Sequence, residues 1–159
     1  YKGSSAAAFA SYFFNSKIFC FDIDFSKNFI KSSQLHKIQL DQSNDIEIEK
    51  TLNKFNINKS IDFVSDDGIH EDEYILKSFN VLFKHLVSNG RYFIEDITKS
   101  KTPIIYKLFY KNKINSLYKD CINSENIKKI KSVRFVKTQM NYKVQSEEPQ
   151  NYLAIISKK

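Results

Sequence analysis

The nine residues DFVSDDGIH, 62 to 70, carry an apolar run into two adjacent carboxylates, Asp66 and Asp67, and place an imidazole three residues after the second. A later run, residues 91–97, ends the same way in Glu95 and Asp96. Carboxylates held close together repel, so a chain that keeps them needs something positive between them. If the two runs are neighbouring strands, their ends lie about 5 Å apart, and alternation lets an acid of each pair face one crevice. Three or four carboxylate oxygens would then converge, a donor set that suits a hard divalent cation such as Mg²⁺. Asp67, Glu95 and Asp96 are the candidate ligands. The same spacing also allows Asp66 or Asp67 to cap the helix that follows, with Glu95 and Asp96 in a solvated loop. His70 is expected to open that helix. The positive end of a helix disfavours an imidazolium, so a neutral ring there is placed to accept a proton as a general base. His36, in a strand, and His85, on a helix, read as structural.

These groups can meet only if the elements beneath them bring them to one edge. Short apolar runs recur at 17–23, 35–40, 60–67 and 91–97, the pattern of strands covered on both faces. Helical stripes lie between them: Ala6, Phe9, Ala10 and Phe13; then Ile48, Leu52 and Phe55; then Ile75, Phe79, Leu82, Phe83 and Leu86. The third is closed by SNG at 88–90, where Gly90 fits a helix C-terminal cap. This alternation predicts an α/β fold with a mostly parallel sheet. The last third differs. Residues 104–118 read as one amphipathic helix after Pro103, while 132–136 and 151–157 read as an antiparallel pair of strands joined by a polar loop. No repeat or linker divides the chain, so residues 1–159 read as a single domain.

In open parallel sheets, ligands bind beyond the carboxyl ends of the strands. Four runs here end in acid: Asp22 with Asp24, Asp41, Asp66 with Asp67, and Glu95 with Asp96. A band of carboxylates along one rim is the main functional signal. Asp22 sits where such folds hold a nucleoside ribose. The small-residue turn KGSS at 2–5 would let backbone approach a ligand.

Composition bounds the alternatives. There are 25 lysines and arginines against 18 acids, a formal charge of +7, with 42% apolar and 14% aromatic residues. That apolar share makes a globular chain with a real core. A basic balance is one mark of nucleic-acid binding, but these lysines are spread over polar faces and the rim acids would repel phosphate. Two cysteines are too few for a disulfide framework or a zinc cluster; Cys20 reads as a core thiol, and a reducing cytoplasm is the expected compartment. No signal peptide or membrane-spanning run stands out.

Taken in order, GSS (3–5), FDID (21–24), LDQ (40–42), DDGIH (66–70) and YFIED (92–96) resemble the metal-dependent S-adenosylmethionine O-methyltransferases of the mycinamicin and macrocin type. Their pattern runs E-I-G-x-x-x-G-G-S, G-I-D, G-D-Q, D-D-G-S-H and Y-x-x-E-D, and the resemblance covers residues 1–98. Ser4 and Leu40 stand for glycines of that pattern and Ile69 for its serine. The resemblance implies a Rossmann-like methyltransferase three-layer sandwich, a seven-stranded sheet with its last strand antiparallel. Its first strand would precede Tyr1, which implies a fragment lacking that strand. Gly3 and Ser5 would lie by the methionine end of the donor S-adenosyl-L-methionine, Asp22 on its ribose, and Asp41 and Gln42 by its adenine. Asp66 would approach the methionine part. Asp67, Glu95 and Asp96 match the magnesium ligands and His70 the general base.

The implied reaction is Mg²⁺-assisted methyl transfer to a hydroxyl of a sugar or glycosylated metabolite. A small-molecule or saccharide acceptor is the expected partner, with no nucleic acid and no membrane; a homo-oligomer is compatible. Tyr106, Tyr110 and Tyr118, at helical spacing, read as packing residues before sugar contacts. The competing class is a non-catalytic protein on a degenerate methyltransferase fold, binding nucleic acid through its lysine-rich tail or serving as a scaffold.

Overall fold

In the computed structural model the described residues are 3–26, 31–138 and 151–159. Lys2 of the small-residue turn, and most of the polar loop before the last strand, lie outside them. Helix α1 (Ser4–Tyr12) leads into β1 (Ile18–Asp22), which pairs in parallel with β2 (Leu35–Gln39). Helix α2 (Asp45–Lys54) follows, then β3 (Ile61–Asp66), α3 (Asp72–Leu82) and β4 (Leu86–Ile97). The remainder holds α4 (Pro103–Phe109), α5 (Ser124–Lys129), β5 (Ile130–Lys137) and β6 (Tyr152–Lys158). A four-stranded sheet runs β3-β4-β6-β5, with β3 and β4 parallel and β6 antiparallel to both its neighbours. The mixed α/β sheet and the antiparallel last strands are those the sequence predicts. Among the described residues β1 pairs only with β2, and β3 only with β4.

Local chemistry explains the elements. Asn44 caps α2 by accepting from Glu47 N, Asp45 and Glu47 occupy the first turn, and Lys54 the last, each on the favourable end of the helix dipole. That helix buries Ile48 and Leu52, and α3 buries Ile75, Phe79 and Leu82. Under α3 lies the aromatic heart of the core. The Phe79 ring stacks on Phe83 at 4.8 Å and meets Tyr92 edge-on at 4.9 Å. Each such ring contributes about 1.5–3 kcal/mol through burial. The opposite face of β3 and β4 is covered by α1, whose Phe9 packs on Phe63 at 5.4 Å. A cavity of about 770 Å³ opens beside it, lined by Phe9, Phe63, Phe93 and Leu153 and reaching Glu95 and Asp96 at the rim.

Three expectations need correction. The SNG segment does not cap a helix: α3 passes into a single 3-10 turn at Phe83–His85, and residues 88–90 lie inside β4. Asn89 supplies the left-handed backbone (φ 63°), while Gly90 serves close approach, since a Cβ there would lie 2.9 Å from Val87 O and 3.1 Å from Asp62 O. The helix expected over 104–118 stops at Phe109, because Lys111 and Asn112 take positive φ and Asn115 N turns back to Leu108 O. His70 does not open α3. It lies two residues before the helix with φ 55°, and Glu71 is the extended N-cap. Tyr106 does read as packing: it is 9% exposed, and its ring stacks on Tyr110.

Candidate active site

β1, β2, β3 and β4 form two parallel pairs, so their acids fall at or just past the carboxyl ends of the strands. Asp22 closes β1 and accepts from Asp24 N at 3.2 Å. Leu40 N donates to Asp22 O, and Leu40 is itself 4% exposed. The side chain that stands for a glycine is therefore absorbed by the core. Asp41 makes a tight turn by accepting from Ser43 N at 2.8 Å, and that bond holds its carboxyl below the usual aspartate range. Gln42 reaches across to the next loop, where its Oε1 accepts from Ile69 N at 3.4 Å. It lies so near Gly68 that a Cβ there would fall 1.8 Å from Gln42 Oε1. Glycine in DDGIH thus lets the loop after β2 dock on the loop after β3. Gly3 takes φ 83° at the start of α1, whose first turn carries no side-chain cap and no acid; Ser5 is exposed in that turn.

Asp66 and Asp67 diverge. Asp66 is buried under α3, where its Oδ2 accepts from Ser78 Oγ at 2.5 Å and Tyr92 OH at 2.8 Å. Burial raises its pKa against these bonds and one from Gly68 N, and burial likewise raises Tyr92 well above its ordinary value. Asp67 opens onto the rim. Its Oδ1 is 3.5 Å from His70 Nε2. Burial, then the charge of Glu95, push Asp67 above the ordinary aspartate value; Asp96 and Asp66 add to this and His70 opposes it.

Donor atoms of Asp67, His70 and Asp96 all lie within 4.8 Å of one another. Glu95 falls outside that trio but flanks it, its carboxylate accepting from Ser65 Oγ. Among the described residues no lysine or arginine ion-pairs with Asp67, Glu95 or Asp96. Consecutive strand residues should face opposite ways, yet Glu95 and Asp96 both line the rim cavity. The reason is a β-bulge: Ile94 pairs with Ala154 but Ile97 with Tyr152, three steps on β4 against two on β6, and Asp96 takes φ 48°. Tyr92 stood in the Y-x-x-E-D motif without a role assigned; Ser78, Ser65 and Asn151, whose Nδ2 donates to Asp96 Oδ1 at 3.2 Å, were not singled out from the sequence. Only the register could have paired Ser65 with Glu95, and nothing in sequence places Asn151 beside Asp96.

The lysine and glutamate of the structural histidine complete the picture away from the rim: His85 is buried with its Nε2 3.2 Å from Glu49 Oε1, which Lys84 also contacts. His36 stacks on Phe19 at 4.8 Å. Both are structural, His36 by ring packing and His85 through Glu49.

No family model matches the chain. The mycinamicin VI 2''-O-methyltransferase of Micromonospora griseorubida is 29% identical over 101 residues, 64% of this chain and 24% of its own length. Solved structures of the MycE methyltransferase from the mycinamycin biosynthetic pathway align over 98% of this chain and 40% of theirs. A complex with Mg, SAH and mycinamycin VI gives a TM-score of 0.63 at 20% identity, and a second crystal form with Mg and SAH gives 0.65 at 20%. The chain therefore spans about a quarter of the curated relative's length and two-fifths of the solved chains'. The resemblance carried by the motifs is borne out: this chain has the mixed α/β fold of the MycE methyltransferase and is similar in sequence to the mycinamicin enzyme.

Proposed function

We propose that this chain serves an S-adenosylmethionine-dependent O-methyltransferase that methylates a hydroxyl of a sugar or glycosylated small molecule, with Mg²⁺ held at the rim. We read residues 1–159 as a single S-adenosylmethionine-dependent methyltransferase domain. The observation that carries the proposal is the unneutralised cluster. In a chain of net charge +7, Asp67, Asp96 and His70 converge within 4.8 Å with Glu95 alongside, and no lysine or arginine among the described residues answers them. The donor set is rich in carboxylate oxygen, which fits a hard cation. MycE structures that share the fold hold Mg and SAH, and the mycinamicin relative is named for methylating a 2''-oxygen.

Asp67, Glu95 and Asp96 would hold the cation. The open first turn of α1, with Gly3 and Ser5, would meet the methionine end of the donor, Asp22 its ribose, and Asp41 and Gln42 its adenine. Asp66 would act there through its turn, since its carboxylate is engaged with Ser78 and Tyr92. When bound, the donor supplies an electrophilic methyl and the cation favours developing negative charge on an acceptor oxygen. His70 takes the acceptor's proton. Asp67, beside His70 Nε2, stabilises the imidazolium as it forms. The rim loops fix donor and acceptor in line, which removes much of the entropic barrier.

Calorimetry of SAH with the intact protein, with and without Mg²⁺, tests the donor site; label transfer from S-adenosylmethionine to macrolide glycosides, with and without chelator, tests the reaction. Saturable SAH binding and chelator-sensitive transfer are expected. Absence of SAH binding, or transfer undiminished after thorough metal removal, would overturn the proposal in its donor or metal half respectively.

A further inference from the structure

We infer that Ser65 and Asn151 are positioning residues for the cation site, an inference that rests on the reading of Asp67, Glu95 and Asp96 as its ligands. Two consecutive residues can both serve one cation only if the strand is deformed and the deformed state is held. The deformation is the bulge at Glu95 and Asp96, with Asp96 in left-handed backbone. A non-glycine residue there stores strain that its surroundings must over-determine.

The holding groups come from either side of β4, one on β3 and one just before β6. Ser65, on β3, is paired with Phe93, so its side chain shares a face with Glu95 two residues on, and its Oγ donates to Glu95 Oε1. On the other side, Asn151 immediately precedes β6 and donates through Nδ2 to Asp96 Oδ1 at 3.2 Å. Asn151 is itself fixed: it is 9% exposed, and its carbonyl accepts from Thr138 N at 2.9 Å.

Both donors are neutral. A lysine or arginine in either place would orient the carboxylate and also cancel the charge that a cation needs. A hydroxyl and an amide orient it and leave the charge intact. Each bond engages one oxygen of a carboxylate that has two, so ligation remains open. Partners of this kind around metal ligands are worth about ten- to a hundredfold in metal affinity.

The test is calorimetric titration of Mg²⁺ into the intact protein and four variants, each checked by thermal melting. Ser65→Ala and Asn151→Leu, which remove a donor at similar volume, are expected to weaken Mg²⁺ binding about tenfold or more. Ser65→Thr, which keeps a hydroxyl, should restore it, a rescue that a merely structural role does not predict. Asp67→Asn is the control for the site itself. Wild-type protein that takes no Mg²⁺, or an Asp67→Asn protein that binds as wild type does, removes the ligand assignment and this inference with it. Wild-type binding that falls in Asp67→Asn but not in Ser65→Ala or Asn151→Leu removes the positioning role alone. Should Asn151→Leu fail to fold, the Ser65→Ala and Ser65→Thr pair decides the outcome.

Discussion

Asp66 and Asp67 follow one another at the end of β3, yet one is folded into the packed face beneath α3 and the other opens onto the rim among like charges. Both have raised pKa values and both for burial first, but the neighbours differ in kind. Around Asp66 stand donors, Ser78 and Tyr92, that use its charge to tie β3, α3 and β4 together. Around Asp67 stand acceptors, Glu95 and Asp96, which make its charge costly until something positive arrives. The difference shows where this chain keeps its stability and where it gives some up. A carboxylate with donors fastens the scaffold; a carboxylate among carboxylates is, on the proposed reading, the one a cation would neutralise.

The largest effect that would sharpen the contrast belongs to the rim. Replacement His70→Ala should lower methyl transfer to a macrolide glycoside by about 10²–10⁴-fold, the usual worth of a positioned general base. Its melting temperature should stay near the wild type's, because His70 lies in a loop outside α3. Equal turnover in the two proteins would remove His70 from the mechanism. Next comes the inner acid. Replacement Asp66→Ala removes the acceptor that the Tyr92 and Ser78 hydroxyls share and leaves them the longer bonds to Ser78 Oγ at 3.2 Å and Ile75 O at 3.1 Å, at about 1–3 kcal/mol in all. Urea unfolding should show a loss of about 1–3 kcal/mol, a sizeable part of a typical domain's stability. Asp66→Asn, which keeps an acceptor oxygen, should lose less. If the alanine variant unfolded at the wild-type midpoint, the inner acid would not be the fastener described.

Much of this contrast was legible in the sequence, and the part that was not has physical reasons. The acid-ended runs at 17–23, 60–67 and 91–97 gave the strands, since buried parallel strands need continuous apolar residues and their ends need not. They also gave Asp67 and Asp96 as close neighbours, together with His70. Sequence could not say that both acids of the second pair face the rim, because a bulge on β4 overrides the two-residue alternation. Nor could it give the helix ends. SNG has the composition of a cap but lies within β4, in the irregular stretch between the Leu86 and Arg91 pairings with β3, and the stripe over 104–118 ignores the left-handed turn at Lys111 and Asn112. The short helix α5, capped by Asn123 accepting from Glu125 N, was hidden in what read as a lysine-rich tail. Asn151 and Ser65 reach their acids from other strands, contacts that only the sheet order β3-β4-β6 creates.

A third effect concerns the cation itself. Mg²⁺ at about a hundred times its dissociation constant stabilises the folded state by about 2.7 kcal/mol, which for a chain of this size raises the melting temperature by about 5–10 °C. Scanning with Mg²⁺ and with chelator measures it, and identical curves would leave the cluster without its proposed ligand.

The smallest effect is the most discriminating, because it changes sign. Asp67 holds its proton more tightly in the folded chain than an ordinary aspartate does, since its pKa is raised by burial and by Glu95. Its ionisation therefore weakens folding above that raised value and ceases to do so as pH falls through it. Without divalent cation, Asp67→Asn should then be the more stable protein at pH 7. The gain is limited to about 1–2 °C, because the side chain is 45% exposed and solvent screens the repulsion. Lowering the pH through the raised pKa should close the gap, as the wild-type carboxyl becomes neutral too. Adding Mg²⁺ at pH 7 should reverse the order, since only the wild type keeps the full ligand set. An asparagine variant that melts below wild type in chelator would mean that Asp67 is fastened as Asp66 is, and the division between the two acids would fail at its own hinge.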